Sequence, residues 1–148
     1  MTPFTRPLCV ALFCLAALSA RAADFPVMEL SAGINRIEAE VAYTEQSRQQ
    51  GLMQRTAMPA YHGMLFVFPR PSSDCMWMRN TLLPLSVAFI DGDGKIINIE
   101  DMQPQTENNH CALRPARYAL EMNLNWFKSR GLGPGSAIIG LERAPSAQ

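Results

Sequence analysis

The tetrapeptide Asp91-Gly92-Asp93-Gly94 sets the strongest limit on how this sequence can be arranged. It separates two apolar runs, 85–90 and 95–102, and Asp-Gly between apolar runs is the strongest short-range signal for a β-hairpin. A calcium loop of the EF-hand type would need an oxygen ligand two residues beyond Asp93, where Lys95 stands. The middle of the chain is therefore predicted to be an antiparallel strand pair rather than a calcium site.

Short segments of strand character occur along most of the remaining chain. Residues 37–43 alternate apolar and polar side chains, which is the period of a half-buried strand. Thr44 is predicted to cap a short helix over 45–53, and Asn123 a second helix that ends at the left-handed cap Gly131. Further strands are predicted at 64–68, 75–79, 117–122 and 137–141. About seven short strands with two short helices predict a mainly β fold, a β-sandwich or small barrel.

The first residues carry export signals. Arg6 precedes an apolar stretch over Leu8–Ala20, and Ala20-Arg21-Ala22 has small residues at the two positions that signal peptidase reads. The stretch is shorter than the ~20 residues that span a bilayer, so no membrane span is expected after cleavage. We predict a periplasmic or secreted protein. The predicted segments are a signal peptide (1–22), an N-terminal segment (23–36), a single mainly β domain (37–141) and a tail (142–148).

Cleavage at this point would leave two of the four cysteines, Cys75 and Cys111. An exported protein meets an oxidising compartment, and two cysteines allow one intramolecular pairing. Cys75 would lie at the start of a strand, and Cys111 in a polar loop predicted over 104–115. We therefore predict a disulfide between them, and the absence of a C-x-x-C motif disfavours a thioredoxin-like role.

Charge and motifs exclude several function classes. Lys and Arg total 13 and Asp and Glu total 13, so no basic excess exists to neutralise phosphates, and no nucleic-acid partner is expected. The sequence has no G-x-S-x-G motif, no zinc-ligand spacing and no glycine-rich phosphate loop. No cofactor and no catalytic residue are therefore assigned. A hydrolase of unrecognised type is kept as an alternative to a binding protein.

Methionine is unusually frequent, with nine residues. Met76-Trp77-Met78 would place two thioethers on one face of a strand, with Trp77 on the other. Thioethers suit Cu(I), so a copper site made by Met76, Met78 and His110 is an alternative. Packing in irregular core gaps is the simpler explanation of the methionines.

Five ordered pieces of sequence resemble the bacterial and archaeal domain-of-unknown-function family 192. The similarity spans about Ile37 to Leu141. It implies a mainly β, sandwich-like fold and no established activity. The matching pieces are Arg48…Gly51-Leu52-Met53-Gln54-Arg55, Gly63-Met64-Leu65-Phe66-Val67-Phe68, Trp77-Met78…Asn80-Thr81, Phe89-Ile90-Asp91…Gly94 and Ala119-Leu120-Glu121.

Three positions depart from that family's pattern. Ser86 and Ser136 stand where the family usually has Asp, so a mechanism that depends on either carboxylate is not expected here. Asn125 stands where Gly before Trp is common. Because Asn tolerates left-handed backbone better than most residues, this exchange is expected to be neutral.

Polar residues among apolar segments define the candidate site. In a strand, Trp77 and Arg79 would point to one face and offer an aromatic ring beside a guanidinium, a pair suited to an acidic group. Arg48 and Arg55 are about two helical turns apart, so both would add positive potential on one face. The predicted ligand-binding residues are Arg48, Arg55, Trp77, Arg79, Asn80, Thr81 and Glu121.

These residues support two interpretations. One is a cleft that binds a small acidic molecule or a cell-envelope polymer. The other is a structural or interaction protein in which Asn80 and Thr81 cap a turn and Glu121 pairs with Arg55 or Arg79 in an internal network.

Overall fold

Eight strands, one α-helix and two 3₁₀ turns make up the computed structural model, which describes residues 25–148. The mainly β fold agrees with the prediction. The helix α1 spans Glu45–Gln50, and the 3₁₀ turns span Lys128–Arg130 and Leu141–Arg143. The strands are β1 (Val27–Ala32), β2 (Asn35–Ala42), β3 (His62–Ser72), β4 (Cys75–Met76), β5 (Leu85–Ile90), β6 (Ile96–Met102), β7 (His110–Cys111) and β8 (Ala116–Asn123).

Six strands form one sheet in the order β1-β2-β3-β8-β5-β6, and β4 and β7 form a second, two-stranded sheet. Among the strand pairs of residues 25–148, only β2–β3 is parallel. The predicted hairpin is present as β5–β6. Within the described chain the large sheet is not closed into a barrel, although single bridges tie residues 137–139 to both of its edges, at Ser31 and Lys95.

Both faces of the large sheet are buried. Successive side chains of a strand point to opposite faces, and on β8 Leu120 belongs to one core cluster while Ala119 belongs to the other. Trp126, Phe127 and nearby C-terminal residues cover the first face. Leu52 and Met78 help to cover the second. Because both faces are covered at the position of β5, every residue of this strand is buried.

The helix α1 is short but fully capped at its start. The Thr44 hydroxyl accepts a hydrogen bond from the Ser47 backbone N–H at 3.1 Å, and the Ser47 hydroxyl accepts one from the Thr44 N–H at 2.9 Å. This reciprocal pair is a capping box, and it confirms Thr44 as the cap. The helix ends at Gln50, before the predicted Met53, because Gly51 adopts a positive φ of 47°.

Several local predictions differ from the structure. The segment 137–141 makes only isolated bridges, and the predicted loop 104–115 contains β7. The second helix is reduced to a 3₁₀ turn, because Asn125 at φ 65° reverses the chain before Lys128. The left-handed cap at Gly131 is confirmed, and Asn125 adopts the left-handed backbone that Asn was expected to tolerate.

Two strands have bounds that the alternation pattern did not indicate. β1 lies in the N-terminal segment, for which no strand is predicted, and β4 covers only the first two residues of the predicted strand 75–79. The predicted signal peptide, residues 1–22, lies outside the described residues. Across residues 25–148, no helix has the length and apolar character needed to cross a membrane.

The predicted disulfide is present between Cys75 and Cys111. The two residues are cross-strand partners in the β4–β7 pair, with a Cα–Cα distance of 4.0 Å. The bond therefore fastens the small two-stranded sheet at one end.

Candidate functional site

A cavity of about 500 Å³ opens between α1, the end of β3 and the chain after β4. Its walls are mostly apolar and include Phe66, Phe68, Pro69, Met76 and Trp77. Cys75 of the disulfide also lines it. The polar lining residues are Glu45, Arg48, Gln49 and Asp74. Apolar and aromatic walls with a few polar groups are the usual composition of a small-ligand site.

A narrow slot adjoins this cavity. Its volume is about 30 Å³, which is enough for a water molecule or the tip of a polar group. The slot and the cavity share the lining residues Arg48, Gln49, Phe66, Met76 and Trp77. The residues that line only the slot are Gln50, Gly51, Leu52, Met53, Thr81 and Glu121.

Glu121 is the buried acid of this slot. It lies on β8 with only 4% of its surface exposed, opposite Met64 of β3 and Val87 of β5. Its carboxyl makes no hydrogen bond or ion pair with any residue in 25–148. Removal from water disfavours the ionised form, and burial raises the pKa of Glu121 to about 8. At neutral pH this side chain is therefore predominantly a neutral carboxylic acid that can donate a hydrogen bond.

Arg48 is fixed by backbone carbonyls. One terminal nitrogen donates to the carbonyl oxygens of Tyr43 at 2.6 Å and Val67 at 3.3 Å, and the other donates to a main-chain oxygen of Gln148 at 3.0 Å. A guanidinium has five N–H donors, so two remain without an acceptor in the described chain. Arg48 lies on the wall shared by the cavity and the slot, and no Asp or Glu side chain among residues 25–148 pairs with it.

Trp77 forms an exposed wall of the cavity. The side chain is 46% exposed, and the guanidinium carbon of Arg79 lies 5.6 Å from the ring centroid. The expected ring and guanidinium pair is therefore present, although Trp77 is not in a strand. Arg79 itself lines neither the cavity nor the slot, and its Nε lies 3.7 Å from the carboxylate of Glu107.

Four of the seven predicted ligand-binding residues meet at this place: Arg48, Trp77, Thr81 and Glu121. Arg55 does not join them, because its two terminal nitrogens bond the carboxylate of Glu40 at 2.8 and 2.6 Å. The prediction that Arg48 and Arg55 share a helix face is wrong, since α1 ends at Gln50. Pairing of Glu121 with Arg55 or Arg79, as the internal network would require, is also wrong.

Asn80 lies near the slot, and its contact there is made by its backbone. Its φ is 55°, and its carbonyl accepts a hydrogen bond from the Gln54 N–H at 2.9 Å. The Thr81 N–H donates to the Met78 carbonyl at 3.1 Å. The predicted turn at Asn80 and Thr81 is therefore present, and it brings Thr81 to the slot.

The alternative copper ligands are not brought together as a set. Met76 and His110 are cross-strand partners in β4 and β7, but Met78 is fully buried in the second core cluster. Among residues 25–148, no group of three or more His, Cys, Asp and Glu side chains is placed to hold a metal ion.

Ser86, one of the departures from the family pattern, has a carboxylate as its partner. Its hydroxyl donates to Asp101 Oδ1 at 2.5 Å and accepts from the Asn125 N–H at 2.9 Å. A carboxylate from β6 therefore contacts position 86, on the side of the molecule that carries a separate cavity of about 340 Å³.

Most of the cavity wall consists of residues that were not predicted to line a site. Phe66 and Phe68 were part of an apolar run without a site role, and Glu45, Gln49 and Asp74 carried no motif. The alternation of side chains along β3 could have indicated two of these wall residues. Phe66 and Phe68 share the face of Met64, opposite Leu65 and Val67.

Comparison with known proteins supports the assignment to a family. The model of domain-of-unknown-function family 192, described as an uncharacterized ACR, matches residues 27–140. A solved structure from Sinorhizobium meliloti 1021, provisionally described as a transcription regulator, is 34% identical, with a TM-score of 0.77 over 81% of this chain and 98% of that one. A protein of unknown function from Novosphingobium aromaticivorans DSM 12444 is 28% identical, with a TM-score of 0.74 over 77% of this chain and 85% of that one. No curated protein matches the chain.

Proposed function

Since this chain belongs to domain-of-unknown-function family 192, we propose that it is an exported domain that binds a small ligand carrying one anionic group. The observation that carries the proposal is the cavity of about 500 Å³, which is lined by both Trp77 and Arg48, an arginine held by main-chain oxygens and without an Asp or Glu side-chain partner in residues 25–148. The balance of 13 basic and 13 acidic residues gives no support for carrying over a role in transcription.

The lining of the cavity supports a ligand with a ring or apolar body. Trp77, Phe66 and Phe68 provide aromatic surface, and aromatic side chains contribute large contact areas to binding. The volume lies within the usual range of small-molecule sites, roughly 300–1,000 Å³. If the ligand is a cell-envelope polymer, one unit of the polymer that fits this cavity volume would have to enter.

The charges of the lining limit the ligand to a single anionic group. The two free N–H donors of Arg48 match the two oxygens of a carboxylate or phosphate. Glu45 and Asp74 also line the cavity, so the lining carries one positive and two negative charges, and an anionic group is favoured only beside Arg48. Arg55 and Arg79, which would have favoured a polyanion, lie outside the lining.

Replacing Trp77 by alanine should weaken binding about tenfold or more with little loss of stability, because the ring is half exposed but forms a wall of the cavity. The probes are benzoate and glucuronate, with benzamide and glucose as neutral analogues, and binding is measured by ligand-observed NMR. Tyr61→Ala is the matched control: Tyr61 is 57% exposed and has Arg130 at 5.7 Å from its ring, but it lines none of this cavity. Equal binding by the two variants, or no binding of either acid to the wild type, would contradict the proposal.

Export is the second part of the proposal, and the Cys75–Cys111 disulfide supports it, since such bonds persist in oxidising compartments. Expression of the full chain in a Gram-negative host should give a periplasmic product without a membrane span that begins near Ala23. N-terminal sequencing of that product is the measurement. A membrane-bound product that retains Met1 would count against export without affecting the ligand-binding part.

A further inference from the structure

Glu121 is placed to receive part of a ligand. The slot that it lines shares five residues with the cavity, so a group that extends from a ligand in the cavity can approach the carboxyl. The carboxyl has no hydrogen-bond partner within the described chain, and leaving a buried polar group without one is unfavourable. A ligand group that enters the slot would supply the missing partner.

Burial and the neighbouring Arg48 are the main influences on the protonation of Glu121, because the other charged groups around it are more distant. Arg48 of α1 is the one other charged residue among those lining the slot. Along the same row of the sheet, Glu121 is flanked by Met64 and Val87. The next acids in that row are Glu40 on β2 and Glu100 on β6, each two strands away, or roughly 10 Å.

Both of those acids have basic neighbours of their own. Glu40 is paired with Arg55, and Glu100 lies 4.0 Å from His110. On the chain after β4, Arg79 is turned toward Glu107 and the outer surface of Trp77.

We propose, resting on the ligand-binding function above, that the slot recognises the ligand's anionic group with two donors: the neutral carboxyl of Glu121 and the guanidinium of Arg48. One oxygen of a carboxylate or phosphate accepts the Glu121 O–H hydrogen bond, and Arg48 balances its charge. Thr81 closes the slot beside them. The group recognised is therefore an oxyanion small enough for one oxygen to enter a slot of about 30 Å³.

This arrangement couples binding to one proton. A neutral carboxyl attracts an anion, whereas an ionised Glu121 would repel it at close range in a site of low dielectric constant. A carboxyl of ordinary pKa would be ionised at neutral pH, but burial keeps that of Glu121 protonated up to about pH 8. Affinity for an oxyanion should therefore be constant below pH 8 and should fall about tenfold for each pH unit above it.

The test measures the affinity of benzoate, which stays ionised throughout, from about pH 6 to pH 10 in the wild type, Glu121→Gln and Glu100→Gln. The amide of Glu121→Gln donates a hydrogen bond at every pH, so its affinity should be independent of pH. Glu100→Gln changes an acid in the same row but outside the slot, so it should keep the wild-type dependence. In a ¹³C NMR titration of the wild type, saturating benzoate should raise the pKa of the Glu121 carboxyl, and benzamide should not.

The possible outcomes separate this inference from the proposed function. Binding that needs Trp77 but shows no pH dependence would overturn the role of Glu121 and leave the ligand site intact. Titration of the Glu121 carboxyl at an ordinary carboxyl pKa would also overturn the role of Glu121. Failure of both benzoate and glucuronate to bind at any pH would overturn the ligand site and the inference together.

Discussion

Replacing both Cys75 and Cys111 by serine should lower the free energy of unfolding by about 3–4 kcal/mol. The bond closes a loop with a sequence separation of 36 residues, and the loop-entropy relation gives that magnitude for the constraint it places on the unfolded chain. Removing the bond also weakens the folded state, because the β4–β7 pair loses its cross-link. The β4–β7 pair has only two residues in each strand, and so short a strand pair has little stability of its own.

Urea unfolding followed by circular dichroism is the measurement. The double variant Cys75→Ser, Cys111→Ser should have the same stability with and without dithiothreitol, whereas reductant should bring the wild type close to the variant. Because Cys75 and Met76 both line the cavity, the variant should also bind benzoate more weakly. A loss of stability below about 1 kcal/mol would show that the bond contributes little to the fold.

Replacing Glu121 by glutamine should stabilise the protein by about 3 kcal/mol at pH 7. The folded-state pKa of about 8 lies above the usual value of 4.5, so the unfolded chain loses its proton first as the pH rises. Folding therefore becomes less favourable by about 1.4 kcal/mol for each pH unit between these two values. Below about pH 4.5 both states are protonated and this penalty is absent.

Stability should be measured from pH 4 to pH 8 for the wild type, Glu121→Gln and the control Glu100→Gln. The wild type and the control should lose stability relative to Glu121→Gln as the pH rises, and the difference should be small near pH 4. A difference between wild type and Glu121→Gln that does not change with pH would mean that the carboxyl titrates normally. In that case burial would not be perturbing this group.

The fold could be predicted where local chemistry decides it. The Asp-Gly turn marked the β5–β6 hairpin, and the predicted strand 85–90 has the observed bounds. β1 was missed because its place in the sheet comes from pairing with β2, and a single sequence does not show that pairing. The segment 137–141 has strand composition but meets each sheet edge through one bridge only.

The site was predictable in part for similar reasons. Trp77, Thr81 and Glu121 are polar or amphipathic residues among apolar segments, and this contrast is visible in the sequence. Arg55 was misplaced because Gly51 ends α1 early, and because its carboxylate partner Glu40 comes from β2. Contacts between distant segments decide which arginine lines the cavity, and local spacing does not reveal them.

The position of β8 in the sheet has a consequence for the order of folding. This strand lies between β3 and β5, yet it is the last of the eight strands along the chain and ends at Asn123. Until it is available, β3 and β5 have no common partner, and the only strand pairs of the large sheet that can form are those within β1-β2-β3 and within β5-β6. Pairings so distant in sequence are formed slowly, because loop-closure entropy is lost before the contacts are made. A chain that leaves a ribosome or a membrane pore with its N-terminus first therefore lacks this central strand until about five-sixths of its length has emerged.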